Sequence, residues 1–311
     1  MRSTAGRLML LALLFPVVLI AATRHTPARV PTRAELQQII EAKKAPLQSL
    51  VTAEQEFAKL SGSKGIRAAF LASLSLDCVM FRPLPVNGYD AYESRPATTA
   101  KLAWAPAYAE VSAAGDFGMT TGPWEFTPPA ERDGAETATG DFLSVWRREP
   151  GKPWKNALDI GVSHDPPAVG LRATHAVEGP AHEPLPPATE AEPTLLALDQ
   201  SMSQMAQEFN AARSILSWTS SDLRYLNEGE HPREGDSARN AMIFAARTGT
   251  WNPLGSALAS SRDMGYTYGV LVSPKGDPAQ APDSVVYVHV WRRLSGETWK
   301  IFAAVDKPLK R

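Results

Sequence analysis

The sequence predicts an α+β protein in which one domain is written twice, with helices leading and an antiparallel sheet following in each copy. Three observations carry this prediction. Val145-Trp146-Arg147-Arg148, followed by Trp154-Lys155-Asn156-Ala157-Leu158-Asp159, returns near the C-terminus as Val290-Trp291-Arg292-Arg293, followed by Trp299-Lys300-Ile301-Phe302-Ala303-Ala304. Scattered positions also repeat at a nearly constant offset. Phe70 and Asp77 stand 145 residues before Ile215 and Asp222, while Trp104-Ala105-Pro106 and Asp116-Phe117-Gly118 stand 147 before Trp251-Asn252-Pro253 and Asp263-Met264-Gly265. Finally, 311 residues at 44% hydrophobic and 21% charged leave room for two packed cores.

At the N-terminus, Arg2 and Arg7 flank an uncharged, Leu-rich run that closes on Ala21 and Ala22 before Arg24. That is the layout of a secretory signal over residues 1–23. The run is shorter than the roughly 20 residues a membrane span needs, so cleavage is expected rather than an anchor. Residues 24–46 are then a tether and the start of a helix, and the protein is expected in the periplasm or outside the cell.

The first domain is expected over 47–164. Leu47, Leu50, Val51, Phe57 and Ala58 fall on one helix face that should end at Ser61-Gly62. Ser63 is placed to cap a second helix presenting Ile66, Ala69, Phe70 and Leu74. A short strand over 79–82 should stop at Pro83 and Pro85, and a small helix should follow Asn87-Gly88. Strands over 107–113, 117–126, 140–149 and 154–163 then form a meander, separated by Gly115-Asp116, a Pro/Gly/Glu loop and Pro150-Gly151-Lys152-Pro153.

Seven prolines between 166 and 193 make 165–194 a solvated linker. The second domain is expected over 195–311, opening on a helix stripe of Leu195, Leu198, Met202, Ala206 and Phe209.

Two helices, a small helix, then Trp-x-Pro, Gly-Asp-x-Gly-x-x-x-Gly, Val-Trp-Arg and the closing Trp154-Lys155 to Asp159-Ile160-Gly161-Val162-Ser163-His164 resemble the SnoaL-like, ketosteroid-isomerase-like superfamily, related to nuclear transport factor 2. The resemblance implies two tandem cone-shaped domains, each a strongly curved antiparallel sheet wrapping a helix around an apolar pocket. It implies no single function, because the superfamily includes isomerases, cyclases, dehydratases and hydrolases beside many binding domains. Cones of this family often pair through their sheets. Here that pairing would be intramolecular, a pseudo-dimer expected to run as a monomer.

Glu54 interrupts an apolar helix stripe, and Asp199 stands at the matching place in the second copy. A carboxylate in a dry cavity has its pKa raised and can act as a general acid or base. The alternative is that Glu54 accepts internal hydrogen bonds. Asp159 is the second catalytic candidate. If Leu158 and Ile160 face the cone's core, period-two alternation turns Asp159 outward. Trp104, Tyr108, Trp124, Trp146, Tyr266 and Trp291 are candidate pocket-lining aromatics, with ordinary core packing as their alternative.

Other chemistries find no support. Balanced charge, 32 basic against 33 acidic residues, implies no nucleic-acid or membrane-surface partner. The lone Cys78 excludes an internal disulfide and reads as a buried small hydrophobe. His164, His175 and His182 with Glu178 and Glu183 fit no compact ligand spacing, so no metal is expected. Without a phosphate loop or dinucleotide fingerprint, no cofactor is expected either. Asp116-Phe117-Gly118 lacks the other kinase motifs, and Ser163-His164-Asp165 is contiguous, which is not a triad.

Three readings follow: binding of a small apolar ligand or a protein partner, a cofactor-independent enzyme built on a pocket carboxylate, or a purely structural pseudo-dimer.

Overall fold

The computed structural model describes residues 32–129, 136–166, 194–246, 249–273, 283–293 and 298–309. The leader, most of the linker and His175, Glu178, His182 and Glu183 lie outside these residues.

The first helix, α1 (Arg33–Lys64), begins well before the expected Leu47, because Thr32 and Glu35 form a reciprocal capping box. Its buried stripe is Leu47, Leu50, Val51, Glu54 and Phe57. The break before α2 (Ile66–Ser73) falls at Gly65, whose φ of 85° only glycine adopts readily. Ser63 therefore caps nothing. It lies inside α1 and bonds back to the Lys59 carbonyl.

The expected strand over 79–82 is the end of a longer β1 (Leu74–Phe81), followed by the short β2 (Pro85–Asn87) and α3 (Gly88–Glu93), which Asn87 caps. Then come β3 (Lys101–Trp104), β4 (Tyr108–Val111), β5 (Phe117–Thr127), β6 (Ala138–Arg147) and β7 (Lys155–His164).

The second copy runs α4 (Leu195–Glu208), α5 (Ala211–Trp218), β8 (Thr219–Asn227), β9 (Arg233–Glu234), α6 (Gly235–Ala246), β10 (Thr250–Leu258), β11 (Met264–Ser273), β12 (Asp283–Arg292) and β13 (Lys300–Pro308). In this copy one bulged strand, β10, replaces the β3–β4 pair.

Each copy forms its own sheet, in the orders β2-β1-β7-β6-β5-β3 and β10-β11-β12-β13-β8-β9. The sheets are mixed, not wholly antiparallel as expected. β1 pairs with β7, and β8 with β13, in parallel. In each copy the long connection between these two strands, a helix followed by the meander, supplies the crossover that a parallel pair requires.

Each sheet curls around its own helices to make a cone. Phe57, Phe70, Trp104, Phe142 and Trp146 fill the first with α1. Met202, Trp251, Tyr287 and Trp291 fill the second with α4.

The outer faces of the two sheets pack on each other. Met119, Leu143, Val145, Leu158, Ile160 and Val162 meet Met264, Val286, Val288, Val290 and Val305 in one cluster. Each such side chain stabilises by about 1.5–3 kcal/mol on burial. The pairing has the self-complementary form of a two-fold dimer. Ala113 N donates to Asp263 Oδ2 at 2.8 Å, and Ser260 N, its counterpart, donates to Asp116 Oδ2 at 3.2 Å. The Asp-x-Gly turn that imitates a kinase triplet is thus a sheet-pairing clasp.

Candidate functional site

Glu54 lies wholly buried on the inner stripe of α1. Trp104 Nε1 donates to its Oε1 at 2.6 Å, while the Thr120 hydroxyl and Trp146 Nε1 donate to Oε2 at 2.6 and 2.9 Å. Burial pushes its pKa up to about 7 against the pull of these donors. Every donor comes from the sheet, so Glu54 pins the helix to the cone wall. It does not line the cavity, and Trp104 stands between.

The cavity of the first cone encloses about 400 Å³. Phe57, Phe70, Tyr92, Trp104, Phe126 and Phe142 form its apolar wall, and Arg82, Asp159, Ser163 and Lys307 its polar side. Trp124 also lines it, its indole lying across β6 and β7 where two glycines leave room. A Cβ on Gly161 would stand 3.2 Å from the indole nitrogen, and one on Gly140 only 2.6 Å from a ring carbon.

Asp159 faces this cavity, reversing the sense of the alternation argument. Leu158 and Ile160 belong to the cluster between the two sheets, so the alternate positions Asp159, Gly161 and Ser163 turn into the cone. Ser144, paired with Asp159 across β6 and β7, donates to its Oδ2 at 2.8 Å. Desolvation holds the Asp159 carboxyl above the usual carboxylate range, opposed by Ser144 and by the charges of Arg82 and Lys307.

The other aromatic candidates lie apart. Trp146 is buried beneath Glu54. Tyr108 and Tyr266 are in the inter-sheet cluster, and the Tyr108 hydroxyl donates to the buried Glu110 at 2.7 Å. Cys78 is buried, and desolvation raises its thiol well above the ordinary range. His164 sits against Asp141 at 2.6 Å, and among the described residues no group of His, Cys, Asp and Glu could hold a metal ion. Arg82 and Lys307 were not legible as site residues. One follows the end of β1 just before Pro83, and the other lies in the second copy.

No family model matches the sequence, and no curated relative matches it. Solved structures similar to the chain are ketosteroid-isomerase-like and NTF2-like proteins. A ketosteroid isomerase-like protein from Erwinia carotovora atroseptica shares 11% identity over 40% of this chain and 100% of its own, with a TM-score of 0.32. An NTF2-like protein from Cytophaga hutchinsonii shares 13% over 36% of this chain and 93% of its own, with a TM-score of 0.27. A cystatin-like-fold protein from Nostoc punctiforme shares 13% over 38% and 95%, with a TM-score of 0.29. The likeness is one of fold.

The second cone is built differently inside. Asp199 takes the place of Glu54 but is one methylene shorter, and Trp291 Nε1 donates to Thr267 instead, at 2.9 Å. The Tyr287 hydroxyl and His289 Nδ1 donate to Asp199 at 2.9 and 2.8 Å. Phe142, Ser144 and Met80 of the first cone correspond to Tyr287, His289 and Tyr225, all nearly or wholly buried. Asp306 replaces Gly161 and accepts from Tyr225 at 2.7 Å. Larger polar side chains, hydrogen-bonded to Asp199 or to Asp306, thus stand at these positions of the second cone.

Proposed function

We propose that the protein works outside the cytoplasm as a binding protein whose first cone takes up a small, mainly apolar molecule. The contrast between the cones carries this reading. One interior keeps an aromatic cavity large enough for a small ligand, while the matching positions of the other carry larger side chains hydrogen-bonded to buried carboxylates. Catalysis needs a second polar group poised over the substrate, and Glu54 already has its oxygens engaged by three donors.

An acid–base reaction on Asp159 is the second reading, favoured by its position on the cavity wall and its raised pKa. Under that reading, Asp159→Asn keeps ligand binding and abolishes turnover.

The test is a titration with 4-phenylbutan-1-ol, followed by tryptophan fluorescence, since Trp104 and Trp124 line the cavity. Saturable quenching is expected. Met80→Tyr, which installs the second cone's Tyr225 at the cavity wall, should weaken binding by about tenfold or more, the equivalent of about 1.4 kcal/mol. An unchanged affinity in that variant would place the probe elsewhere and defeat the proposal.

A further inference from the structure

Several rings in the first cone's wall are already matched to one another. Phe57 meets Phe70 and Trp104 edge-on, with ring centres 4.8 and 4.7 Å apart, and Phe70 stacks on Tyr92 at 4.1 Å. Arg82 and Arg95 set their guanidinium groups 5.1 and 5.5 Å from the centre of the Tyr92 ring. Trp124 is different. It is half-buried on the cavity wall and, like the smaller Phe126 and Phe142, makes no ring contact among the described residues. Unlike them it also carries a polar group, an indole N–H buried without an acceptor.

Two glycines seat this indole. Gly140 faces Trp124 across β5 and β6, and Gly161 lies one strand further on. The nitrogen-side edge of the ring, from Cδ1 to Cζ2, comes closest to where their Cβ atoms would stand. The second cone keeps none of the three residues. Leu271 pairs with Val285 there as Trp124 pairs with Gly140, and Asp306 stands for Gly161, since Tyr287 pairs with Asp306 as Phe142 pairs with Gly161. Fold stability does not account for the tryptophan. A buried donor without an acceptor is destabilising, and a leucine such as Leu271 has no donor to bury. A side chain kept against such a cost points to use of its ring by a ligand.

We infer that the ligand carries an aromatic ring, and that Trp124 selects it by offset-stacked or edge-to-face contact inside the cavity. The inference rests on the binding reading above and names its ligand class. Complementary ring quadrupoles favour an aromatic ring over a saturated one here, a gain beyond the apolar area that either would bury.

Calorimetric titration of the full chain with 4-phenylbutan-1-ol and with 4-cyclohexylbutan-1-ol separates the two claims. The saturated ring has the greater apolar surface, so burial alone would favour it. The phenyl alcohol should instead bind more tightly by about threefold or more. Trp124→Leu, which installs the residue of the second cone, should abolish that preference, and Trp124→Phe should keep part of it. Each variant is read as the ratio of its two affinities, so a general loosening of the cavity cancels. Equal or tighter binding of the cyclohexyl alcohol overturns the aromatic inference and leaves the pocket standing. A phenyl preference that survives Trp124→Leu overturns the assignment to Trp124. Should that variant bind neither alcohol, Trp124→Phe decides, and an undiminished preference in it overturns the assignment. Binding of neither probe by the unaltered protein overturns both readings.

Discussion

Replacing Glu54 by leucine is expected to destabilise the protein by at least about 3 kcal/mol at pH 5, measured by urea denaturation. The substitution leaves the two indole N–H groups and the Thr120 hydroxyl buried without their acceptor, and each orphaned group costs about 1–3 kcal/mol. The loss depends on pH. Because the folded-state pKa of Glu54 stands near 7, above its ordinary 4.5, the folded protein holds this proton more tightly than the unfolded chain does. Its contribution is fully present below about 4.5 and declines as pH rises through about 7, a change of about 3 kcal/mol. The gap between wild type and Glu54→Leu should therefore be wider at pH 5 than at pH 8. A variant more stable than wild type would mean that Glu54 is a burden retained for function.

The second large effect is expected at Arg292, whose side chain joins the two cones. Only 3% exposed, it donates to Glu110 Oε2 of the first cone at 3.0 Å and to both oxygens of Asp222 at 2.6 and 2.7 Å. Arg292→Met strips the guanidinium from a carboxylate that is itself almost wholly buried, at a cost of about 3–5 kcal/mol. Arg147 is the sequence counterpart and pairs with Asp77 as Arg292 pairs with Asp222, but that pair is about half exposed. Arg147→Met should cost no more than about 1 kcal/mol. The position matching Glu110 is Ala257, so no second inter-cone ion pair exists there to lose. Adding Glu110→Gln to Arg292→Met should recover part of the stability. A double variant no better than Arg292→Met would show that the uncompensated charge is not the cause.

Duplication and the helix stripes were legible because a constant offset and a 3.6-residue period survive without any knowledge of contacts. Glu54 and Asp199 announced themselves as carboxylates inside such a stripe. The orientation of β7 was not legible. Apolar alternation marks the better buried face of a strand, which in a lone cone would be the inner one. In this protein a second sheet covers the outside, so Leu158 and Ile160 report the seam between sheets, and the more open inner face carries Asp159, Gly161 and Ser163. The parallel pairing of β1 with β7 leaves no local signal either, since it depends on where α3 and the meander return the chain. Lys307 was hidden for a related reason. It is 225 residues from Arg82 in sequence, and only the packing of the two sheets brings it to the same cavity.

The central claim is that one cone is open and its twin is closed. Xenon under pressure enters apolar cavities of this size without needing polar partners, so diffraction from a pressurised crystal tests the claim directly. Xenon density is expected in the first cone, among Phe57, Phe70, Trp104 and Phe142, and not in the second, among Trp251, Tyr287, His289 and Trp291. Density in the second cone, or none in the first, would contradict the account.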